Sequence, residues 1–267
     1  MSHHYIDIHS HLNDPRFDID REEVLMRMRA AKVATIVVGT DGKMSEDALS
    51  LAEAHSDVWA TVGLHPTDDR KEEFNINEYR KMAAHPRVVA IGECGLDYYW
   101  PDNDRWPNGV DVEKKRQREL FEAQIALALE ADKPLMIHGR PSKGNMDAYE
   151  DIIALLRAHS GTRGNIHFFV GNTDIARQFL DLGFTLSFTG VLTFTHDYDE
   201  VVRFAPLEHI MSETDAPYVA PIPYRGKQNE PAHVREVVRA IAHIRGKNED
   251  EVKSILLENA REQFRLV

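Results

Sequence analysis

Two histidines near the amino terminus, His9 and His11, stand one residue apart in the run Tyr5-Ile6-Asp7-Ile8-His9-Ser10-His11. Apolar and polar residues alternate there as on a strand, where side chains two apart share a face. Both imidazoles therefore point one way and converge with Asp7, and two neutral ring nitrogens suit a borderline-soft divalent ion. A lone His-x-His is more often a pair of loop histidines. Its company changes that reading, because later apolar runs end in Glu93, His138, His167 and Asp215. Four imidazoles and two carboxylates exceed what one tetrahedral zinc ion needs. Two metals bridged by a carboxylate are the economical arrangement.

Those residues meet only if the chain brings its strand ends together, and the alternation of β-type runs with helical patterns supplies the means. After the first strand, Asp20-Arg21-Glu22-Glu23 reads as a helix N-cap leading into Val24, Leu25 and Met28. Further strands are expected at Ala34 to Gly39, Val58 to Val62, Val88 to Ile91, Leu135 to Ile137, Asn165 to Phe169, Phe184 to Phe188 and Ile210 to Ser212. Helices are expected near Ser45 to His55, Ile76 to Ala84, Val112 to Ala131, Met146 to Ala158, Tyr198 to Phe204, Pro231 to Ile244 and Glu249 to Phe264. Eight strands with intervening helices predict an α/β fold, a (β/α)8 TIM barrel, with chemistry at the carboxyl ends of the strands. His9, His11, Glu93, His138, His167 and Asp215 would then share one mouth.

The length of 267 residues and an apolar content of 42% suit a single domain spanning 1–267. No apolar run reaches the roughly 18 residues of a membrane span, and no basic-then-apolar leader opens the chain, so a cytoplasmic protein without a membrane partner is expected. The one cysteine, Cys94, cannot form an internal disulfide; next to Glu93 on a strand it would point away, into the core. The formal charge of −12 has the wrong sign for a broad basic nucleic-acid surface, so a polyanion would have to be gripped locally.

Several residues could supply that grip. His65, at the end of the third strand before Pro66, could contact a phosphate or a water at the metals, or simply brace its loop. Arg140, two residues beyond His138, could pair with a phosphate bidentately. Lys227, Arg225, Tyr98, Tyr99 and Trp100 could hold one strand by charge and stacking. The aromatic stretch from Tyr98 to Gly109 reads as a loop over the barrel mouth.

These motifs resemble the TatD-type metal-dependent deoxyribonucleases, within the amidohydrolase-like barrels. The resemblance covers nearly the whole chain. It rests on Asp7-Ile8-His9-Ser10-His11, Gly63-Leu64-His65-Pro66, Gly92-Glu93-Cys94-Gly95-Leu96-Asp97-Tyr98-Tyr99, Ile137-His138, His167-Phe168-Phe169 and Glu213-Thr214-Asp215-Ala216-Pro217-Tyr218. Arg225 to Pro231 resembles the family's late loop, and Asn259-Ala260 with Phe264 its closing helix. One departure is visible, since His167-Phe168-Phe169-Val170-Gly171 has phenylalanine where the family usually has cysteine.

The resemblance implies two divalent ions per subunit, with zinc, manganese, magnesium, cobalt and nickel all compatible. His9, His11 and Asp215 would hold one, His138 and His167 the other, with Glu93 between them. It further implies a 3′-5′ exonuclease acting on single-stranded DNA, with Asp215 as proton acceptor and Glu93 in the catalytic centre, where His65 is a further catalytic candidate from its own position. A monomer or weak oligomer is expected. The same metals could instead serve ester or amide cleavage, as in a lactonase, an amidohydrolase or a deacylase of D-aminoacyl-tRNA.

Overall fold

The computed structural model describes residues 3–67, 72–100, 106 and 108–266. Its centre is one parallel sheet whose strands follow in sequence order: β1 (Tyr5–Ser10), β2 (Val33–Val37), β3 (Val58–Val62), β4 (Val88–Asp97), β5 (Leu135–Arg140), β6 (Gly164–His167), β7 (Thr185–Phe188) and β8 (Ile210–Ser212). Parallel neighbours need long crossovers. Helices α1 (Arg21–Ala30), α2 (Gly42–Ala54), α3 (Ile76–Ala83), α4 (Val110–Glu130), α5 (Asp147–Ala158), α6 (Thr173–Asp181) and α7 (Asp199–Phe204) fill the crossovers in turn, and α8 (Val234–Arg245) and α9 (Glu249–Phe264) follow β8. Two backbone bonds join β1 to the segment after β8: His11 N–H donates to Ala216 O at 2.7 Å, and Asp215 N–H to His9 O at 2.9 Å. The sheet is thereby a (β/α)8 barrel.

Alternate strand residues face two apolar layers. Val33 and Val37 pack with the surrounding helices. Ala34 and Ile36 fall in a smaller cluster with Ile6, Trp59, Met136 and Met211, which Phe264 of α9 joins. Asn259 ties α9 to the barrel by donating to Leu207 O and Ile210 O. Cys94 is fully buried in the helix-facing layer, as its strand position predicts.

Four local departures from the sequence expectations have physical causes. β4 runs on to Asp97 with all ten residues buried, six residues beyond the apolar run that ends at Ile91. β6 stops at His167 because Phe168 turns into the left-handed region at φ 44°, a conformation uncommon outside glycine. The sequence reading assigns no helix where α6 forms, although Asn172 caps it by accepting from Ile175 N–H at 2.9 Å. Asp20 sits at the N-cap of α1 but makes no side-chain cap; its carboxylate reaches Arg27 instead. No helix among the described residues is long and apolar enough to cross a membrane.

Candidate metal centre

The centre is built outward from a row across three strands. Gly95 of β4 stands in register with His138 of β5, and His138 with His167 of β6. Glu93 and Asp97 lie two residues either side of Gly95 and share its face, so their carboxylates flank the imidazole opposite. His138 Nδ1 is 2.9 Å from Glu93 Oε1, and its Nε2 is 3.2 Å from Asp97 Oδ2. Glycine is required between them: a Cβ on Gly95 would sit 2.1 Å from His138 O, at a φ of +132°.

Across the mouth, His9 Nε2 and His11 Nε2 approach to 3.2 Å. Glu93 Oε2 lies 3.4 Å from His9 Nε2 and 3.8 Å from His11 Nε2, and Asp215 Oδ1 lies 3.8 Å and 3.4 Å from the same two atoms. Ligand atoms about 2.0–2.2 Å from one tetrahedral ion stand roughly 3.3–3.6 Å apart. Glu93 and Asp215 thus each approach the His9–His11 pair at nearly the spacing of a coordination shell, with Asp215 held at φ 55° by its bond to His9 O.

Glu93 joins this set to another. Its Oε1, besides meeting His138, lies 3.7 Å from both His65 Nε2 and His167 Nε2. Among the described residues three donor groups converge: His9, His11 and Glu93; His9, His167 and Asp215; His65, Glu93 and His138. His167 stands between the halves, stacked on His9 with ring centroids 3.5 Å apart. The donors are imidazole nitrogens and carboxylate oxygens, a set that fits a divalent ion in either half.

The family described as TatD related DNase matches residues 6–265 of this sequence. The chain belongs to that family. A Bacillus subtilis relative, uncharacterized metal-dependent hydrolase YabD, is 39% identical over 97% of this chain and 98% of its own length. The Pectobacterium parmentieri 3′-5′ ssDNA/RNA exonuclease TatD is 34% identical over 97% and 99%. The solved structure of YJJV, a TatD homologue from Escherichia coli K12, superposes with a TM-score of 0.88 at 28% identity, covering all of both chains. Like these TatD relatives, the protein is a metal-dependent hydrolase.

The electrostatics of this TatD-type centre call for positive charge. Against burial, His65, His9 and His138 hold Glu93 well below the usual carboxylate range. Against burial, His11 and His167 likewise lower Asp215. Burial would depress His138, but Asp97 and Glu93 push it up to about 10; Glu213 and Glu93 similarly take His167 to about 9. Burial and then the charge of His167 lower His9. Ionised carboxylates thus gather protons onto His138 and His167, and a divalent ion bound there would release them.

The centre forms the floor of an open cavity of about 1250 Å³ whose wall includes Arg140, Tyr99, Trp100, Tyr198 and Tyr218. The Arg140 guanidinium stacks on Tyr99 at 3.9 Å and on Trp100 at 4.9 Å. Half of the expected loop over the mouth, residues 101–105 and 107, lies outside the described residues.

Not every sequence candidate reaches this cavity. Tyr98 is buried behind β4, its hydroxyl donating to Asp151 at 2.8 Å; strand β4 continues to Asp97, and alternation turns the next side chain away from the mouth. Lys227 is exposed in the late loop and does not line the cavity, because that loop folds back through Lys227 N–H to Tyr224 O. Arg225 stacks on Phe194 at 4.0 Å instead. Asp7 does not join the ligands: it accepts from Thr214 N–H at 2.8 Å and Thr214 Oγ1–H at 2.6 Å. The β1–β2 register shifts between Asp7 and Ser10, the stretch that carries His9. Asp97 and Glu213, which sequence reasoning gave no role, both contact a histidine of the centre. The spacing of Asp97 from Glu93 on one strand face was the available signal.

Proposed function

We propose that this protein hydrolyses phosphodiester bonds at a two-ion centre, removing nucleotides from the 3′ end of single-stranded DNA. The observation that carries this reading is Glu93, whose two carboxylate oxygens face separate donor sets at the floor of the cavity. His9, His11 and Asp215 would hold one ion with Glu93 Oε2. His138, with His65 and His167 beside it, would hold the other with Glu93 Oε1. Two divalent ions held by these residues would supply an acidified water and offset charge on the leaving oxygen.

The side chains supply the rest. Asp215 lines the cavity with its side chain 13% exposed, and as a carboxylate kept ionised it takes the proton from the attacking water. Arg140 faces the same space and neutralises a phosphate. Tyr99 and Trp100 offer faces on which an unpaired base stacks without sequence readout. An ionised, carboxylate-rich floor disfavours the charged body of a duplex, and a flexible strand end enters more readily. The activity in the name of the Pectobacterium parmentieri relative supports this choice of substrate.

The net charge of −12 favours a second reading, a small ester or amide substrate that needs no basic track. A panel of 5′-labelled single-stranded DNA, RNA, a closed single-stranded circle, lactones and D-aminoacyl-tRNA, each with manganese, magnesium, zinc, cobalt or nickel, separates the two. Stepwise release of mononucleotides from the 3′ end is expected. Turnover of a lactone or D-aminoacyl-tRNA with intact oligonucleotides, or nicking of the circle at a similar rate, would overturn the nuclease assignment.

A further inference from the structure

The two halves of the centre obtain their negative charge differently. Around His9 and His11 the carboxylates of Asp215 and Glu93 approach the ligand nitrogens directly. Behind those ligands there is no such support for His9, whose buried Nδ1 has no hydrogen-bond partner among the described residues. Around His138 the direct carboxylate is Glu93 Oε1 alone, and charge stands behind the rings. Asp97 Oδ2 meets His138 Nε2 at 3.2 Å. Glu213 Oε1 lies 3.0 Å from His167 Nδ1, but off the line of that ring's N–H, and its oxygens accept from Phe168 N–H and Ser187 Oγ–H.

We propose that Asp97 is a positioning residue for the ion in the His138 half only, holding Nε2–H so that Nδ1 is the atom presented to the metal. This rests on the two-ion reading above. The geometry leaves His138 little choice, because Asp97 is itself fixed. It is 2% exposed, its Oδ1 accepts from Tyr99 N–H at 3.0 Å, and buried Gln117 clamps its main chain from both sides, accepting from Asp97 N–H at 2.8 Å and donating to Asp97 O at 3.0 Å. A carboxylate behind a ligating imidazole fixes its tautomer and raises its basicity, and its loss typically costs about 10–100-fold in metal affinity. The His9–His11 half makes no contact with Asp97. One substitution should therefore weaken one ion and spare the other.

The test is a zinc-binding isotherm on metal-stripped protein, read by competition with a chromophoric chelator, for the wild type and for Asp97→Asn. The wild type should bind two equivalents. Asp97→Asn should weaken one of them about 10–100-fold and leave the second unchanged, while Asp215→Asn weakens the second instead. Thermal unfolding checks that each variant is folded. Two equivalents of unaltered affinity in folded Asp97→Asn would overturn the inference and leave the two-ion reading standing. A single equivalent in the wild type would overturn the two-ion reading, and this inference with it. Should Asp97→Asn fail to fold, long-range proton–nitrogen NMR of the zinc-loaded wild type decides, with His138 assigned by its loss in His138→Gln. A protonated Nε2 supports the role of Asp97, and zinc on Nε2 refutes it.

Discussion

Replacing Gly95 by Ala tests the row on which the centre is built. The new Cβ would lie 2.1 Å from His138 O, against an ordinary contact of about 3.5 Å, so β4 and β5 must separate by more than about 1 Å at the ligand. A side chain at φ +132° costs about 1–3 kcal/mol, and overpacking a close strand pair adds about 1–3 kcal/mol. The sum, about 2–6 kcal/mol, is a large part of a stability of about 5–15 kcal/mol, so turnover is referred to the folded fraction that unfolding measures. A displacement near 1 Å at His138 should lower turnover about 10²-fold. Urea unfolding, metal content and turnover of the purified variant measure all three consequences. A Gly95→Ala protein with the wild-type midpoint and wild-type turnover would refute the claim that this glycine sets the approach of His138 to Glu93.

Asp215→Asn keeps size and shape but removes the proton acceptor, so at saturating metal turnover should fall about 10²–10⁴-fold while thermal unfolding shows a folded protein; retention of wild-type turnover would remove Asp215 from that role. Arg140→Ala should lower kcat/KM on oligonucleotides about 10–100-fold, the worth of a charged hydrogen bond, and leave a small uncharged ester nearly unaffected; equal losses on both would contradict a phosphate contact. His233, stacked on Tyr224 at 3.7 Å, is lowered to about 4 by burial and by Arg27 and Lys227. The unfolded chain therefore binds the extra proton between about pH 6.5 and 4, and stability should fall as pH drops through that window. Allowing for its partial solvent contact, about 1–2 kcal/mol should be lost, and His233→Gln should flatten that part of the pH–stability curve measured by urea unfolding; an unchanged slope would contradict the assignment.

The barrel and the gathering of six candidate ligands at one mouth were legible because both signals are local. A strand writes itself as an apolar run, and a ligand at its end is the next polar residue, as with Ile137-His138 or Ile166-His167. Contacts across the barrel are not written that way. The spacing of Asp97 from Glu93 puts both on one strand face, but its partner is named only by the register of Gly95 with His138, as Glu213 is placed by its reach to His167. Asn229 falls in the stretch that resembles the family's late loop, but its donation to Thr214 O and Tyr218 O, which holds the loop after Asp215, is not written in that motif. Tyr98 failed as a candidate for a related reason: strand β4 outlasts its apolar run by six residues, from Gly92 to Asp97, and parity then decides which of two neighbouring tyrosines faces the cavity.

The central claim is that metal at the Glu93 centre drives phosphodiester hydrolysis, and stripping and restoring the metal tests it most directly. Protein dialysed against EDTA until metal content is near zero should leave a 5′-labelled single-stranded oligonucleotide intact. Titration with manganese should then restore a ladder shortening from the 3′ end, with turnover rising as the second equivalent binds. Glu93→Gln should require much higher manganese for the same ladder, since the carboxylate shared by both donor sets is gone. Full digestion by the metal-free protein, or a Glu93→Gln titration superimposing on the wild type, would contradict the account.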